Sequence, residues 1–164
     1  MLIADRDNNR LLEVSPTGQI LWRFPEPGDL AAGQSFLLPD DAMLTPGGAI
    51  LAADIKNCRL IVIRPPVHHL TQQLGQTGNC TYELGVSYGS PNGAFPMSDG
   101  DMLANDDRND RVIVIDPHTN RIVWQYGHTH QPGPQPGYLS NPDGVDLAPP
   151  YSLTMHFAHT LRAP

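Results

Sequence analysis

Three similar segments of the chain carry carboxylate and guanidinium groups at a fixed spacing. Each contains the string D-x-x-N-x-R between two apolar runs. Such groups together can bind an anionic or polar ligand, or the charged side chains of a partner protein. This interpretation gives as candidate binding residues Asp5, Arg10, Asp54, Arg59, Asp106 and Arg111.

The same three turns also have a structural interpretation. The aspartate would accept hydrogen bonds from turn amides, the asparagine would adopt a left-handed backbone conformation, and the arginine stem would pack across a neighbouring unit. Repetition in every unit favours this structural role, because a binding site usually draws different residues from different units.

Histidines are the polar residues that do not repeat. His128 and His130 flank one threonine, so an extended segment places both imidazoles on one side. With Glu83 from the preceding loop they approach a site of two histidines and one carboxylate, a set typical of transition metals. A loop rich in proline and glycine is also an ordinary place for solvated histidines. The favoured interpretation therefore assigns no metal. It keeps these three residues as candidate binding residues on the same loop face as the repeated turns, and as weak candidates for metal ligands.

Two cysteines lie close to the repeated turns. Cys58 is inside the second turn and Cys80 is in the loop that follows, on the same predicted face of the fold. Their pairing stays open, because a sequence does not give the separation of the two Cα atoms. A disulfide would indicate an exported parent protein. No signal peptide precedes the first apolar run, which as written favours the cytoplasm. The compartment is therefore left unassigned.

Aromatic side chains alternate along two of the apolar runs. Trp22, Trp124 and Tyr126 present flat rings that could stack on a quinone cofactor. Packing between neighbouring units is the alternative, and the outer position of these runs favours it. We therefore expect no cofactor.

The elements that position these residues repeat along the chain. The motif aspartates recur after 49 residues, from Asp5 to Asp54, and after 52, from Asp54 to Asp106. A second set of segments, each beginning with a proline, recurs after 52 and 51 residues, at Pro39, Pro91 and Pro142. Two independent series with one period of about fifty residues indicate a repeat fold.

Each unit is predicted to contain four short strands. A first strand, such as 42–44, precedes a glycine turn and a second strand such as 50–53, which ends at the Asp/Asn turn. The third strand, such as 60–63, is β-branched and continuous, which suits a strand covered on both faces. The fourth strand, such as 122–126, carries the alternating aromatics.

These residues resemble a known group of repeats. The string P-[DN]-[DG]-[AV], a glycine turn, and then [LI]-x-x-D-x-x-N-x-R is similar to the NHL repeat and to the wider group of quinoprotein-like (PQQ-binding-like) propellers. The resemblance implies an all-β fold of β-propeller blades, each a four-stranded antiparallel meander. It says little about function, because such propellers host binding modules, scaffolds and enzymes.

The repeat predicts about three blades and an incomplete ring. The expected partial propeller covers 1–147, followed by an irregular tail over 148–164. The predicted pieces are strands two to four of a first blade at 2–24, a second blade at 39–75, a third at 91–127 and a lone first strand at 142–147. Propellers close with four to eight blades. The chain is therefore interpreted as a fragment or shortened form of a longer propeller, which is the favoured interpretation. The alternative is one half of a six-bladed homodimer.

Composition narrows the range of functions. The 164 residues carry a formal net charge of −7, which argues against binding to nucleic acid. No apolar run approaches the roughly 20 residues of a membrane-spanning helix, so no membrane insertion is expected. We expect a non-catalytic binding or scaffold module that uses its inter-blade loop face to bind a protein or a small polar ligand. The alternative is a metal-assisted lyase or hydrolase that uses histidines on the same face.

Overall fold

A computed structural model describes residues 1–66, 69–80 and 88–147. Its described residues form eleven β-strands in three antiparallel sheets and three short 3-10 helices. The strands are β1 (Leu2–Asp5), β2 (Arg10–Val14), β3 (Ile20–Phe24), β4 (Pro39–Leu44), β5 (Ile50–Asp54), β6 (Arg59–Ile63), β7 (Leu70–Gly75), β8 (Pro91–Pro96), β9 (Met102–Asp106), β10 (Arg111–Asp116) and β11 (Arg121–Tyr126). None of the helices is long enough to cross a membrane.

Each sheet is one blade, and its strands pair in chain order. Blade 1 contains β1 to β3, blade 2 contains β4 to β7, and blade 3 contains β8 to β11. The predicted second, third and fourth strands form in every blade, and the first strands of blades 2 and 3 are longer than expected because they begin at the proline. The pairing of the third and fourth strands shifts at the same place in each blade, for example between Val62 and Ile63.

The apolar third strands contribute to the apolar clusters between neighbouring blades. Every residue of β5 and β6 is buried, which explains the continuous β-branched sequence of β6. One apolar cluster joins blade 2 to blade 3 through residues such as Leu60 and Ile113, and another joins blade 1 to blade 2 through residues such as Leu11 and Ile61. The three blades therefore stack side by side around shared apolar interfaces.

The predicted lone strand over 142–147 does not form. These residues have no regular secondary structure and pair with none of the described strands. Val145 and Leu147 pack against the apolar cluster on the outer side of blade 3. A strand needs a hydrogen-bonding partner, and no second strand of a further blade lies beside this segment among the described residues.

Candidate functional site

The repeated D-x-x-N-x-R turns close a hydrogen-bond network inside each complete blade. In blade 2, Arg59 Nε donates to Asp54 Oδ2 at 2.7 Å, and the side-chain amide of Asn57 donates to both carboxylate oxygens at 3.0 Å. The side chains of Asp54 and Arg59 are fully buried. Burial raises the pKa of Asp54 above its ordinary value, against the hydrogen bonds from Leu37 N–H, Asn57 and Arg59 that favour the charged form.

The arginine guanidinium also ties the loop between blades to the turn. Arg59 Nη1 donates to Gln73 Oε1 and to Thr77 Oγ1, each at 2.9 Å, and Nη2 donates to the carbonyl of Ser35 at 2.8 Å. Blade 3 repeats the network, since Arg111 Nη1 donates to a glutamine and a threonine at 3.3 Å. A guanidinium that uses its donors inside the fold is not available to a ligand.

The structure therefore corrects the binding candidates Asp54, Arg59, Asp106 and Arg111. Their side chains are at most 1% exposed and hold strand, turn and loop together, so they cannot contact a ligand. Asp5 and Arg10 make the same ion pair at 2.6 Å but remain partly exposed in blade 1. The hydrogen bond from Arg10, and after it the one from Asn8, hold the pKa of the Asp5 carboxyl below its ordinary value.

The left-handed position of the turn differs from the expected one. The residue after the motif asparagine adopts it, with φ of 54° at Asn9, 54° at Cys58 and 55° at Asp110. The motif asparagine instead ends a 3-10 helix, where its amide reaches back to the aspartate. The left-handed residue comes one position later, where it caps the C-terminus of the 3-10 helix.

A third repeated series supplies the partners of the motif arginine. Glutamine, glycine and threonine recur after 52 residues, from Gln73, Gly75 and Thr77 to Gln125, Gly127 and Thr129. The glycine is needed because its φ is positive and a Cβ at Gly127 would lie 2.3 Å from the carbonyl oxygen of Asp110. The shared period was the signal that would have identified these residues as partners of the motif arginine.

The aromatic residues have separate roles. Trp22 is buried and stacks on Phe24, whose ring meets Phe36 edge-on with centroids 5.3 Å apart. Tyr126 is exposed, so the expected packing between blades is wrong for this residue. Its hydroxyl instead accepts a hydrogen bond from the backbone N–H of Gly137 and thereby holds the long loop after blade 3.

The two cysteines form a disulfide in the structure. Their Cα atoms are 5.3 Å apart, and the bond ties the turn of blade 2 to the loop that follows blade 2.

Among the proposed metal ligands, His128 stacks on Tyr138 with ring centroids 4.2 Å apart, and His130 is exposed with a φ of 57°. Glu83 lies outside the described residues. The described part of the chain contains no group of three His, Cys, Asp or Glu side chains arranged to hold a metal ion.

A cavity of about 500 Å³ opens where the turns of the three blades meet. We call it the turn-face cavity. Its lining side chains come from the variable positions of the repeats. The turns contribute cations and Asp107, the positions after Pro39, Pro91 and Pro142 contribute two acids and an amide, and both cysteines lie at its wall. The charged and amide residues of the lining are Arg6, Lys56, Arg108, Asp40, Asp107, Asp143 and Asn92.

The charges of the turn-face cavity are only partly paired with one another. The amide of Asn92 donates to Asp107 Oδ2 and to Asp143 Oδ1, both at 2.9 Å. Burial raises the pKa of Asp107 above its ordinary value, against hydrogen bonds that favour its charged form. The exposed side chains of Lys56 and Arg108 form no hydrogen bond or ion pair with other described residues.

The comparisons with known proteins establish the fold alone. No model of a protein family matches the chain, and no curated protein matches it in sequence. The crystal structure of selenomethionine-substituted virginiamycin B lyase from Staphylococcus aureus, a β-propeller, is similar with a TM-score of 0.53 and 13% sequence identity. The described fold is that of β-propeller blades. The match covers 71% of this chain and 34% of the lyase chain, so the chain spans about a third of that protein's length.

Proposed function

We propose that the chain is a binding module whose turn-face cavity takes a small polar ligand or a charged protein segment. The observation that carries this proposal is that the repeated charged residues are buried, whereas charged residues at variable positions of the repeats line the cavity. Arg59 and Arg111, which repeat, are buried in the fold, whereas the variable Lys56 and Arg108 line an open cavity. A volume of about 500 Å³ lies within the range of roughly 300–1,000 Å³ typical of ligand pockets.

The charge pattern supports a ligand that carries both signs. Lys56 and Arg108 offer unpaired donors for a carboxylate or phosphate, and Asp143 and Asp107 offer acceptors for an amine or hydroxyl group. A purely anionic ligand would meet the carboxylates, and a purely cationic ligand would meet the arginines. Triglycine, with one amine and one carboxylate, is a suitable probe.

A titration of the isotope-labelled protein with triglycine tests the proposal by amide chemical shifts. We expect shifts at Lys56, Asn92 and Arg108, and weaker shifts with N-acetyl-triglycine amide, which carries no charge. Lys56→Ala with Arg108→Ala should abolish the response. Arg121→Ala, which removes an exposed cation outside the cavity, should preserve it. Equal shifts from the charged and uncharged peptides would overturn the proposal.

A metal-assisted lyase or hydrolase is the second candidate, motivated by the pair His128 and His130. It predicts that the purified protein retains a stoichiometric divalent metal and loses it in the variant with His128→Ala and His130→Ala. The binding-module proposal predicts no change in triglycine binding in that variant, because neither histidine lines the turn-face cavity.

A further inference from the structure

The aspartate–arginine network of the repeated turns is buried in blades 2 and 3 but partly exposed in blade 1. The side chains of Asp5 and Arg10 are 24% and 39% exposed, whereas the equivalent pairs are at most 1% exposed. Strand β1 pairs only with β2, so its other edge has no partner among the described residues. Ile3 on this strand is 39% exposed. An unpaired edge with exposed apolar side chains is a surface for strand addition.

In blades 2 and 3, the residues just before the first strand complete this hydrogen-bond network. We call these residues the entering chain. Leu37, two residues before Pro39, donates its N–H to Asp54 at 2.9 Å. Gly89, two residues before Pro91, donates in the same way to the aspartate of blade 3. The carbonyl of Ser35 accepts from the blade 2 arginine and asparagine. The described residues supply no such entering chain to Asp5.

The segment 138–147 has the sequence and the placement of such an entering chain. Asn141 has a left-handed φ of 51° and donates its N–H to Asp110 at 3.0 Å. Leu38, at the same position before blade 2, has a φ of 53° and donates to Asn9 at 2.8 Å. The segment therefore docks on blade 3 as the entering chain of blade 2 docks on blade 1.

Side chains of blade 3 hold the segment at the position of a first strand. Asn105 donates its amide to the carbonyl of Pro142 at 3.0 Å, and Asn92 donates to Asp143 at 2.9 Å. Val145 and Leu147 cover the outer apolar cluster of blade 3. The segment is thus held beside blade 3, and its backbone pairs with no strand among the described residues.

We infer that segment 138–147 of one copy pairs with the free edge of β1 in a second copy of this chain. The pairing of β4 with β5 gives the register: Pro39 faces Asp54 and Ala42 faces Ala52. By equivalence, Pro142 faces Asp5 of the second copy and Val145 faces its Ile3. The N–H of Ser140 then donates to Asp5, and the carbonyl of Tyr138 accepts from Arg10.

An assembly of two copies is also consistent with two-fold symmetry. The same exchange occurs twice, so the two contacts are equivalent and the assembly closes without leaving either edge free. Two sets of three blades give six, within the four to eight with which propellers close. The exposed apolar residues Ile20 and Leu21 of blade 1 add to the surface that a neighbouring blade would bury.

Light scattering after size exclusion tests the assembly with the full chain. We expect a single species with twice the mass of one chain. Val145→Asp should yield a species with the mass of one chain and an unchanged far-ultraviolet circular dichroism spectrum, because Val145 is partly exposed and lies outside the sheets. A monomeric wild type, or a mass that rises without limit as concentration increases, would overturn the inference.

A cross-link tests the register independently. Residues directly opposite in antiparallel strands have Cβ atoms about 4.5–5.5 Å apart, close enough for a disulfide after a small adjustment. A mixture of the Ile3→Cys and Val145→Cys proteins should therefore form a covalent dimer on mild oxidation. A control mixture of the Leu44→Cys and Val145→Cys proteins should form no covalent dimer, although Leu44 is also an exposed apolar residue. Equal yields from the two mixtures would contradict the register.

Discussion

The buried arginine of blade 2 gives the sharpest test of the repeated network. Replacing Arg59→Ala removes a guanidinium that is fully buried and leaves the carboxylate of Asp54 buried without its charge partner. Loss of one member of a buried ion pair costs about 3–5 kcal/mol. The substitution also removes the hydrogen bonds to Gln73, to Thr77 and to the carbonyl of Ser35.

The matched control is another arginine paired with a carboxylate. Arg23 Nε lies 2.6 Å from Glu26 Oε1, but both side chains are at least 40% exposed. An exposed pair of this kind contributes about 0.2–1 kcal/mol, so Arg23→Ala should change the free energy of unfolding only slightly. The two arginines share residue type and partner type, and they differ in burial.

Equilibrium unfolding in urea measures both effects. With a denaturant dependence of about 2 kcal/mol per molar urea, Arg59→Ala should lower the midpoint by about 2 M and Arg23→Ala by about 0.5 M or less. Arg59→Lys, which keeps the charge but loses the planar fork, should fall between wild type and Arg59→Ala. Equal losses for Arg59→Ala and Arg23→Ala would refute the structural role of the motif.

Two further predictions concern the disulfide and a buried carboxyl group. Reduction of Cys58–Cys80, which are separated by 22 positions, should lower the free energy of unfolding by about 3 kcal/mol in the chain-entropy view. A double Cys→Ala variant measured in urea should show a similar loss and no response to reductant; an unchanged midpoint would contradict it. Burial raises the pKa of Asp41 in the folded protein above the unfolded-state pKa of 3.8. The Asp41 carboxyl therefore contributes most to the free energy of unfolding below the unfolded-state pKa, and this contribution declines as pH rises through the folded-state pKa. Asp41→Asn should therefore gain stability relative to wild type from pH 3 to pH 7, and a difference independent of pH would contradict this sign.

Much of the fold follows from the sequence because its signals are local and repeated. The continuous apolar run from Leu60 to Ile63 identifies a buried strand, and the recurring D-x-x-N-x-R string fixes the turn before it. The first strands of blades 2 and 3 begin earlier than the sequence predicts, at Pro39 and Pro91, because a proline is accepted at the first position of a strand.

The candidate site depended on contacts that no local pattern records. Lys56, Asn92 and Asp143 come from different units and converge only when the blades stack. The chemistry of the repeated arginines suggests binding, but each guanidinium donates to a glutamine that lies 14 residues further along the chain. The segment 142–147 matched the repeat, yet a strand also requires the edge with which it pairs.

The central claim is that repeated residues hold the fold while variable residues line the binding site. The urea midpoint measured with and without saturating triglycine tests it most directly, because a ligand that binds only the folded state raises that midpoint. We predict a rise for the wild type. The variant with Lys56→Ala and Arg108→Ala should have the wild-type midpoint without triglycine and show no rise with it. A rise in this variant equal to that of the wild type would contradict the claim.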